Sequence, residues 1–544
     1  MEHKVKTTAT TTLEKHAKRF EKRVEKVTDG VYSAIGYGLA NSILLVTNEG
    51  NIIVDTTESI SAAEEVKQEF DRISPQKTVA IIYTHGHTDH VRGASVFMEE
   101  GTEVYAHAKT KAFFHEQFNQ LEPILTQRGA RQFGVRVPKE YLPTSGLGPT
   151  LRMDGKKPKL VMPTTDFDTS LDLTIGNVHL QLVAAPGETD DHLFVWLPEK
   201  KVLLSADNYY PCFPNLYTIR GTTPRPVFEW INSIDKMRKL DADYLVPSHA
   251  EPIYGKARIQ ELLTVYRDAI QYIHDAVVRG MNEGKTPDDL VEEVKLPNVL
   301  AQYDELMELY GDIAQAVRAI FDGYLGWFDG NATNLNRLPK KDHAEKYVEL
   351  AGGFHHVLAE TSKALLAEDY QWAAELCDML LAISPNHGDV LHTKAEALFA
   401  LGLNTANSNN RSYYLTQAME MKGDIATPTR TKEIHYAFAK NMSMEQFFLK
   451  MNLLLHPVKS EEEWITMNLH VTDEPCWYSL HIRRGILEVQ KEKAHESHIE
   501  VETTADVWKQ LVLGLVDIPT CLNNESLISQ GEVEVEQFIS LFEL

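Results

Sequence analysis

Thr84-His85-Gly86-His87-Thr88-Asp89-His90 decides how this chain of 544 residues is read. It follows Thr78-Val79-Ala80-Ile81-Ile82-Tyr83, an apolar and β-branched run that reads as a buried strand. Beyond it, Val91 to Phe97 resumes a helical pattern. Three imidazoles and a carboxylate therefore sit on a strand-to-helix turn, where a scaffold holds ligands rigidly. Neutral imidazole and carboxylate suit zinc, and so many within six residues suit two ions better than one.

Further donors follow other apolar runs. Asp55 closes Asn51-Ile52-Ile53-Val54, and Asp207 closes Val202-Leu203-Leu204-Ser205-Ala206. His249 follows Tyr244-Leu245-Val246-Pro247-Ser248. The turn Ala185-Pro186-Gly187-Glu188-Thr189-Asp190-Asp191-His192 offers two rival ligands, Glu188 and His192, of which Glu188 is preferred. Alone, Asp207 reads equally as a solvated turn and His249 as a satisfied strand-end histidine. As a set they converge on one sheet edge, as a metal centre requires.

The rest of the composition bounds the function. The length calls for two to four domains, and 43% apolar with 24% charged residues is ordinary for a soluble globular protein. A formal net charge of −24 argues against wholesale nucleic-acid binding and against a basic membrane-surface protein, but leaves an anionic small-molecule substrate open. Cys212, Cys377, Cys476 and Cys521 form no C-x-x-C pattern, which fits a reducing compartment. No apolar run reaches the roughly 18–20 residues of a membrane span. Met1 to Lys26 has no apolar signal core, so a cytoplasmic protein is expected.

The turn at 84–90 resembles the H-x-H-x-D-H signature of the metallo-β-lactamase fold. The resemblance implies an αβ/βα sandwich with a hydrolytic metal site along one edge. By that likeness His85, His87 and Glu188 hold one zinc ion, Asp89, His90 and His249 a second, and Asp207 bridges them. Asp55 then lies beneath the metals and orients a ligand. Glu188 stands where the superfamily usually has His, and this resembles the zinc-dependent alkyl sulfatases. Asn215-Leu216-Tyr217-Thr218-Ile219-Arg220-Gly221, followed by Arg225, is similar to the segment that holds the sulfate group in those enzymes. Guanidinium and amide donors match the oxygens of a sulfate ester.

The implied reaction is hydrolysis of linear alkyl sulfates, detergents of the dodecyl sulfate type included, with Asp89 and Asp207 positioning the attacking water. Two rival readings are a generic lactamase-fold esterase, lactonase or phosphodiesterase, and a non-catalytic lipid-binding protein that keeps its metals. Three departures from the family pattern stand out. Asp207 replaces the usual bridging Glu, Pro226 replaces an Asp after the second arginine, and Tyr209 to Pro214 replaces a His-containing approach to Asn215.

The remainder carries the same likeness. A polar arm (1–27), with a charged helix expected from Leu13 to Val27, precedes a catalytic domain at 28–257. In it, 102–150 reads as a helix (Lys109 to Gln120) and a loop-rich insertion, a candidate lid or substrate wall. Amphipathic helices follow over 258–421. There Gly323 to Asn331 and Asp369 to Leu376 resemble markers of the alkyl-sulfatase dimerisation domain, which implies a homodimer. For packing, these aromatics read as helical core. The last segment, 431–544, resembles a small α+β sterol-carrier-like domain.

Overall fold

The computed structural model describes residues 7–115, 121–151, 156, 159–426, 431–440, 442–531 and 533–543. The chain divides into two units, one of residues 1–113 and 124–426 and the other of 114–123 and 427–544. In the larger unit, short apolar runs build two sheets. The first contains, in spatial order, β1 (Arg23–Thr28), β2 (Val31–Ile35), β3 (Ser42–Val46), β4 (Asn51–Val54), β5 (Thr78–Ile82), β6 (Glu103–His107) and β7 (Thr165–Phe167). It is antiparallel through β4 and parallel from there on. The second contains β8 (Ser170–Ile175), β9 (Val178–Ala184), β10 (Leu193–Leu197), β11 (Val202–Ala206), β12 (Tyr244–Pro247) and β13 (Ile253–Tyr254), again in spatial sequence. Only β11 and β12 pair in parallel there.

The sheets share a core. Ile43, Leu45, Ile52, Val54 and Ile82 cluster with Leu180, Leu182, Val195, Leu204 and Val246. Each such side chain contributes about 1.5–3 kcal/mol by leaving water. β4, β5, β10 and β11 are buried on both faces, because helices cover the outsides. Phe194, Trp196, Leu203 and Leu245 pack with Trp230 and Ile234 of the helix Val227–Arg238 and with Leu263 and Tyr266 of the helix Lys256–Asn282. The helix Ile60–Ile73 connects β4 to parallel β5 and buries Ala62, Ala63, Val66 and Phe70. This is the αβ/βα sandwich. Its helical continuation runs from Pro287–Glu293 to Ser408–Lys422.

Three sequence expectations need correcting. In place of the expected helix Leu13 to Val27 stand an α-helix at Thr8–Ala17, a 3-10 turn at Lys18–Phe20 and the edge strand β1 at Arg23–Thr28. Thr7 caps that helix through its side chain, so a threonine run that reads as poor helix is anchored at its start. Alternating Val24 and charged neighbours then suit an edge strand. The insertion is more ordered than its glycines suggest. It holds β6 and a helix Glu122–Gln132, with Pro123 tolerated in the first turn and Gly129 inside. The helix expected over Lys109 to Gln120 covers Thr110–His115, and 116–120 lie outside the described residues. Finally, Tyr324 and Trp327 are exposed rather than core, at 59% and 72%.

The smaller unit holds a five-stranded sheet. Its strands are β14 (Trp464–Val471), β15 (Cys476–Arg483), β16 (Ile486–Gln490), β17 (Ile499–Thr503) and β18 (Leu527–Gly531), in the order β16-β15-β14-β17-β18. Phe447, Phe448, Met467, Leu480, Trp508 and Phe538 form its core. It is the C-terminal α+β sheet domain.

One buried cation ties remote segments of the larger unit together. Arg411 is fully buried, and its charge is met by neutral oxygens: Nε donates to the Tyr141 carbonyl, Nη1 to the Leu403 carbonyl and Nη2 to Thr10 Oγ1. Burial lowers its pKa to about 10. Arg411→Ala strands those acceptors and opens a cavity, so a loss of about 2–4 kcal/mol is expected. Calorimetry checks it: a lower unfolding temperature is expected, and an unchanged one contradicts this role.

Candidate metal centre

Five strand ends meet at one edge of the sandwich. Asp55 follows β4, Thr84 and His85 follow β5, Glu188 follows β9, Asp207 follows β11, and Ser248 and His249 follow β12. His87 precedes the short helix Thr88–Val91, which carries Asp89 and His90. The backbone is strained here: Asp55, Ala206 and Ala250 have φ of 59°, 50° and 68° without being glycine. Such conformations cost on the order of 1–3 kcal/mol each and cluster at functional sites. Gly187 is required by close approach, since a Cβ there would lie 1.9 Å from Asn208 Oδ1.

The donors fall into two groups, each with its ligand atoms within 4.8 Å of one another: His85, His87, Glu188 and Asp207, and Asp89, His90 and His249. In the first, His85 Nε2 and His87 Nδ1 are 2.8 Å apart, and Glu188 Oε2 is 3.5 Å from His87 Nδ1. In the second, Asp89 Oδ2 is 3.5 Å from His90 Nε2 and 3.7 Å from His249 Nε2. Asp207 Oδ2 reaches both, at 3.9 Å from His85 Nε2, 3.5 Å from His90 Nε2 and 3.2 Å from His249 Nε2.

Hydrogen bonds behind the rings fix which nitrogen faces inward. His90 Nδ1 donates to Asp55 Oδ2 at 2.7 Å, and His249 Nδ1 to the Leu39 carbonyl at 3.0 Å. Thr84 Oγ1 donates to Asp55 Oδ2, so it accepts from His85 Nδ1 at 3.1 Å. Each ring therefore keeps its Nδ1 proton behind it and turns Nε2 to the centre, the orientation a metal needs. His90 Nε2 and Asp207 Oδ1 are buried without a hydrogen-bond partner. Buried polar atoms left without a hydrogen-bond partner are what a cation would satisfy, so these residues fit a metal. His192 differs. Its Nε2 accepts the Asp207 backbone N–H at 3.1 Å, and it lies outside both groups.

The electrostatics follow from burial and neighbours. Burial and the adjacent His90 hold His85 well below its usual pKa, and burial with Arg220 and Arg225 does the same to His87. His192 is lowered to about 3, chiefly by burial. At His90 burial opposes the charge, but Asp89, Asp207 and Asp55 outweigh it and raise the pKa. Burial raises Glu188 despite the opposing pull of Arg225. A metal must displace protons from His90 and His249, so its affinity rises with pH.

Cationic and amide donors flank the first group. Arg225 Nη1 contacts Glu188 Oε1 at 2.7 Å and also donates to the Asn215 carbonyl. Arg220 Nη2 lies 3.1 Å from His87 Nε2, and its Nη1 donates to Thr218 Oγ1 at 2.8 Å. Asn215 Nδ2 and Arg225 Nε are buried and unpartnered, so hydrogen-bonding capacity remains for an anion. The arginine contact with His87 has a consequence. Arginine can only donate, so His87 Nε2 accepts and its proton is on Nδ1. If His87 were to hold a metal through Nδ1, that proton would sit on Nε2 and the ring could no longer accept from Arg220.

Sequence reasoning missed Tyr210 and Gln132. Tyr210 Oη donates to Glu188 Oε1 at 2.8 Å and accepts the Asn215 backbone N–H at 2.7 Å, which joins a ligand candidate to an anion-binding candidate. The only signal was that Tyr209 to Pro214 departs from a family pattern. Gln132 has no local signal, because its partners are 86 and 88 residues away.

A metal centre of this kind on an αβ/βα sandwich defines a metallo-beta-lactamase superfamily member, and that family's model matches residues 35–249. A second model, alkyl sulfatase dimerisation, matches residues 286–424. The chain belongs to the alkylsulfatase family. It is 37% identical over 463 residues to the linear primary-alkylsulfatase of Pseudomonas sp. (strain ATCC 19151), covering 81% of this chain and 87% of that one. It is 31% identical over 457 residues to the alkyl/aryl-sulfatase BDS1 of Saccharomyces cerevisiae, covering 81% and 70%. Among solved structures, the stereoselective inverting sec-alkylsulfatase Pisa1 from Pseudomonas sp. superposes with a TM-score of 0.90 at 25% identity, covering 99% of this chain and 87% of that one.

Asp55 takes hydrogen bonds from the Thr84 backbone and hydroxyl, His90 and Ser248. Asp55→Asn loses an acceptor beneath His90, so metal affinity is expected to fall roughly 10–100-fold. A chelator competition titration checks this. Unchanged affinity contradicts the orienting role.

Proposed function

We propose that the chain hydrolyses linear alkyl sulfate esters, of the dodecyl sulfate type, to the alcohol and inorganic sulfate. In this reading two zinc ions per subunit are held by His85, His87 and Glu188 and by Asp89, His90 and His249, with Asp207 shared. The observation that carries it is the pairing of these donor groups with buried, under-used donors on Asn215 and Arg225 and with the guanidinium of Arg220. Bound there, zinc supplies Lewis acidity that brings a water's ionisation into the neutral range. Asp89 and Asp207 orient that water. Asn215, Arg220 and Arg225 hold the sulfate and offset its charge, which buried guanidinium does better than hydrated ammonium. Tyr210 keeps Glu188 and Asn215 in register.

The assembly and setting are proposals of the same kind. Within the dimerisation match, Leu350 and Leu366 are 87% and 75% exposed, beside exposed Tyr324, Trp327 and Trp372. So much exposed apolar surface supports a homodimer through the helices. Three working domains are proposed, at 28–257, 258–421 and 431–544, the last of sterol-carrier-like type. Among the described residues no helix is long and apolar enough to cross a membrane. The four unpaired cysteines agree with a cytoplasmic setting.

Inorganic sulfate release from dodecyl sulfate by the zinc-loaded protein tests the activity. Release abolished by a chelator is expected, and so is its loss in a folded His85→Ala variant. Release from carboxylic or phosphate esters alone contradicts the reading. Sedimentation at micromolar concentration is expected to give the dimer mass, and monomer alone overturns the assembly proposal.

A further inference from the structure

The helix Glu122–Gln132 of the insertion clamps the segment that carries Arg220. Arg128 Nη2 donates to the Ile219 carbonyl at 2.7 Å. Gln132 Oε1 accepts two bonds, from Thr218 Oγ1 at 2.9 Å and from the Arg220 backbone N–H at 2.8 Å. Thr218 Oγ1 in turn accepts Arg220 Nη1 at 2.8 Å. Gln132 thus fixes Arg220 twice, once through the backbone and once through the hydroxyl that holds the guanidinium. Its orientation is unambiguous, because only the amide oxygen accepts. Gln132 is 1% exposed and its Nε2 has no partner, so the side chain is retained for its acceptor despite a stranded donor.

We propose that Gln132 is a positioning residue for Arg220, an uncharged anchor that aims the guanidinium without neutralising it. A carboxylate at this position would also accept both bonds, but it would pair with the arginine and compete with a sulfate group. An amide and a hydroxyl leave the charge free for the substrate. The anchor would matter most with metal bound, since a His87 that held it through Nδ1 would no longer accept from Arg220 through Nε2. Thr218 and Gln132 are then the remaining side-chain hold. This inference rests on the proposed sulfate-binding role of Arg220.

The test is a double-mutant cycle on the full-length, zinc-loaded protein, read by kcat and KM for dodecyl sulfate and by calorimetric affinity for inorganic sulfate. Gln132→Met is expected to weaken sulfate binding roughly tenfold and to lower kcat/KM, with the bound zinc unchanged. In an Arg220→Ala background it is expected to do nothing further. Gln132→Glu, which keeps the acceptor, is expected to retain the fold and still bind sulfate weakly. Equal losses from Gln132→Met in both backgrounds, or no loss, overturn the proposal. If Gln132→Met does not fold, Thr218→Val, which breaks the hydroxyl half of the hold and leaves the backbone half, is expected to give a smaller loss of sulfate binding that vanishes in the Arg220→Ala background, and no loss, or an equal loss in both backgrounds, overturns the proposal. Should the unsubstituted protein release no sulfate, the alkyl sulfatase reading fails, while the cycle on inorganic sulfate affinity still decides the role of Gln132.

Discussion

The carboxylate of Asp55 is the constraint on which the rest of the site depends. It is fully buried at the end of β4, and its oxygens take hydrogen bonds from segments after β5 and after β12. Those strands belong to different sheets, so one acidic side chain holds the two halves of the sandwich in register at the edge where the donors collect. A buried carboxylate without such donors would be costly, because its polar atoms would be left unmet. The left-handed backbone at Asp55 is tolerated because every one of these bonds fixes it.

From that carboxylate the protonation pattern spreads outward. Asp55 sets the tautomer of His90 directly and that of His85 through Thr84, while the Leu39 carbonyl sets His249. The centre is therefore lined with inward-facing Nε2 atoms and carboxylate oxygens, a donor set that a cation would satisfy. On the flank of His87 the sign reverses, with Arg220 and Arg225 beside Glu188 and buried donors in reserve. Cation-seeking and anion-seeking surfaces meet within one site, as a hydrolase for an anionic ester requires.

Much of this was legible in the sequence. The two-sheet core and the donor groups could be read because the donors lie at the ends of apolar strands or in the short turns that follow them, and strand ends on one edge must converge. Of the two rivals in the 185–192 turn, only Glu188 joins a donor group, whereas the His192 lone pair is used by a backbone amide. What stayed hidden depends on contacts far apart in sequence. Gln132 is one polar residue at a helix end, and Tyr210 looked like a substitution rather than a link. The N-terminal helix and β1 were misread because a threonine run and alternating charges look like a solvated arm until Thr7 caps one and β2 pairs the other. Glycine at 129 suggested a loop where tertiary contacts support a helix.

In the proposed centre, two donor groups sharing Asp207 bind two ions and work as one unit. The most direct measurement is to add zinc stepwise to metal-free protein while following both bound metal and sulfate release from dodecyl sulfate. The rate is expected to rise to a plateau at two zinc ions per chain. A plateau at one ion, or sulfate release with none bound, would contradict it.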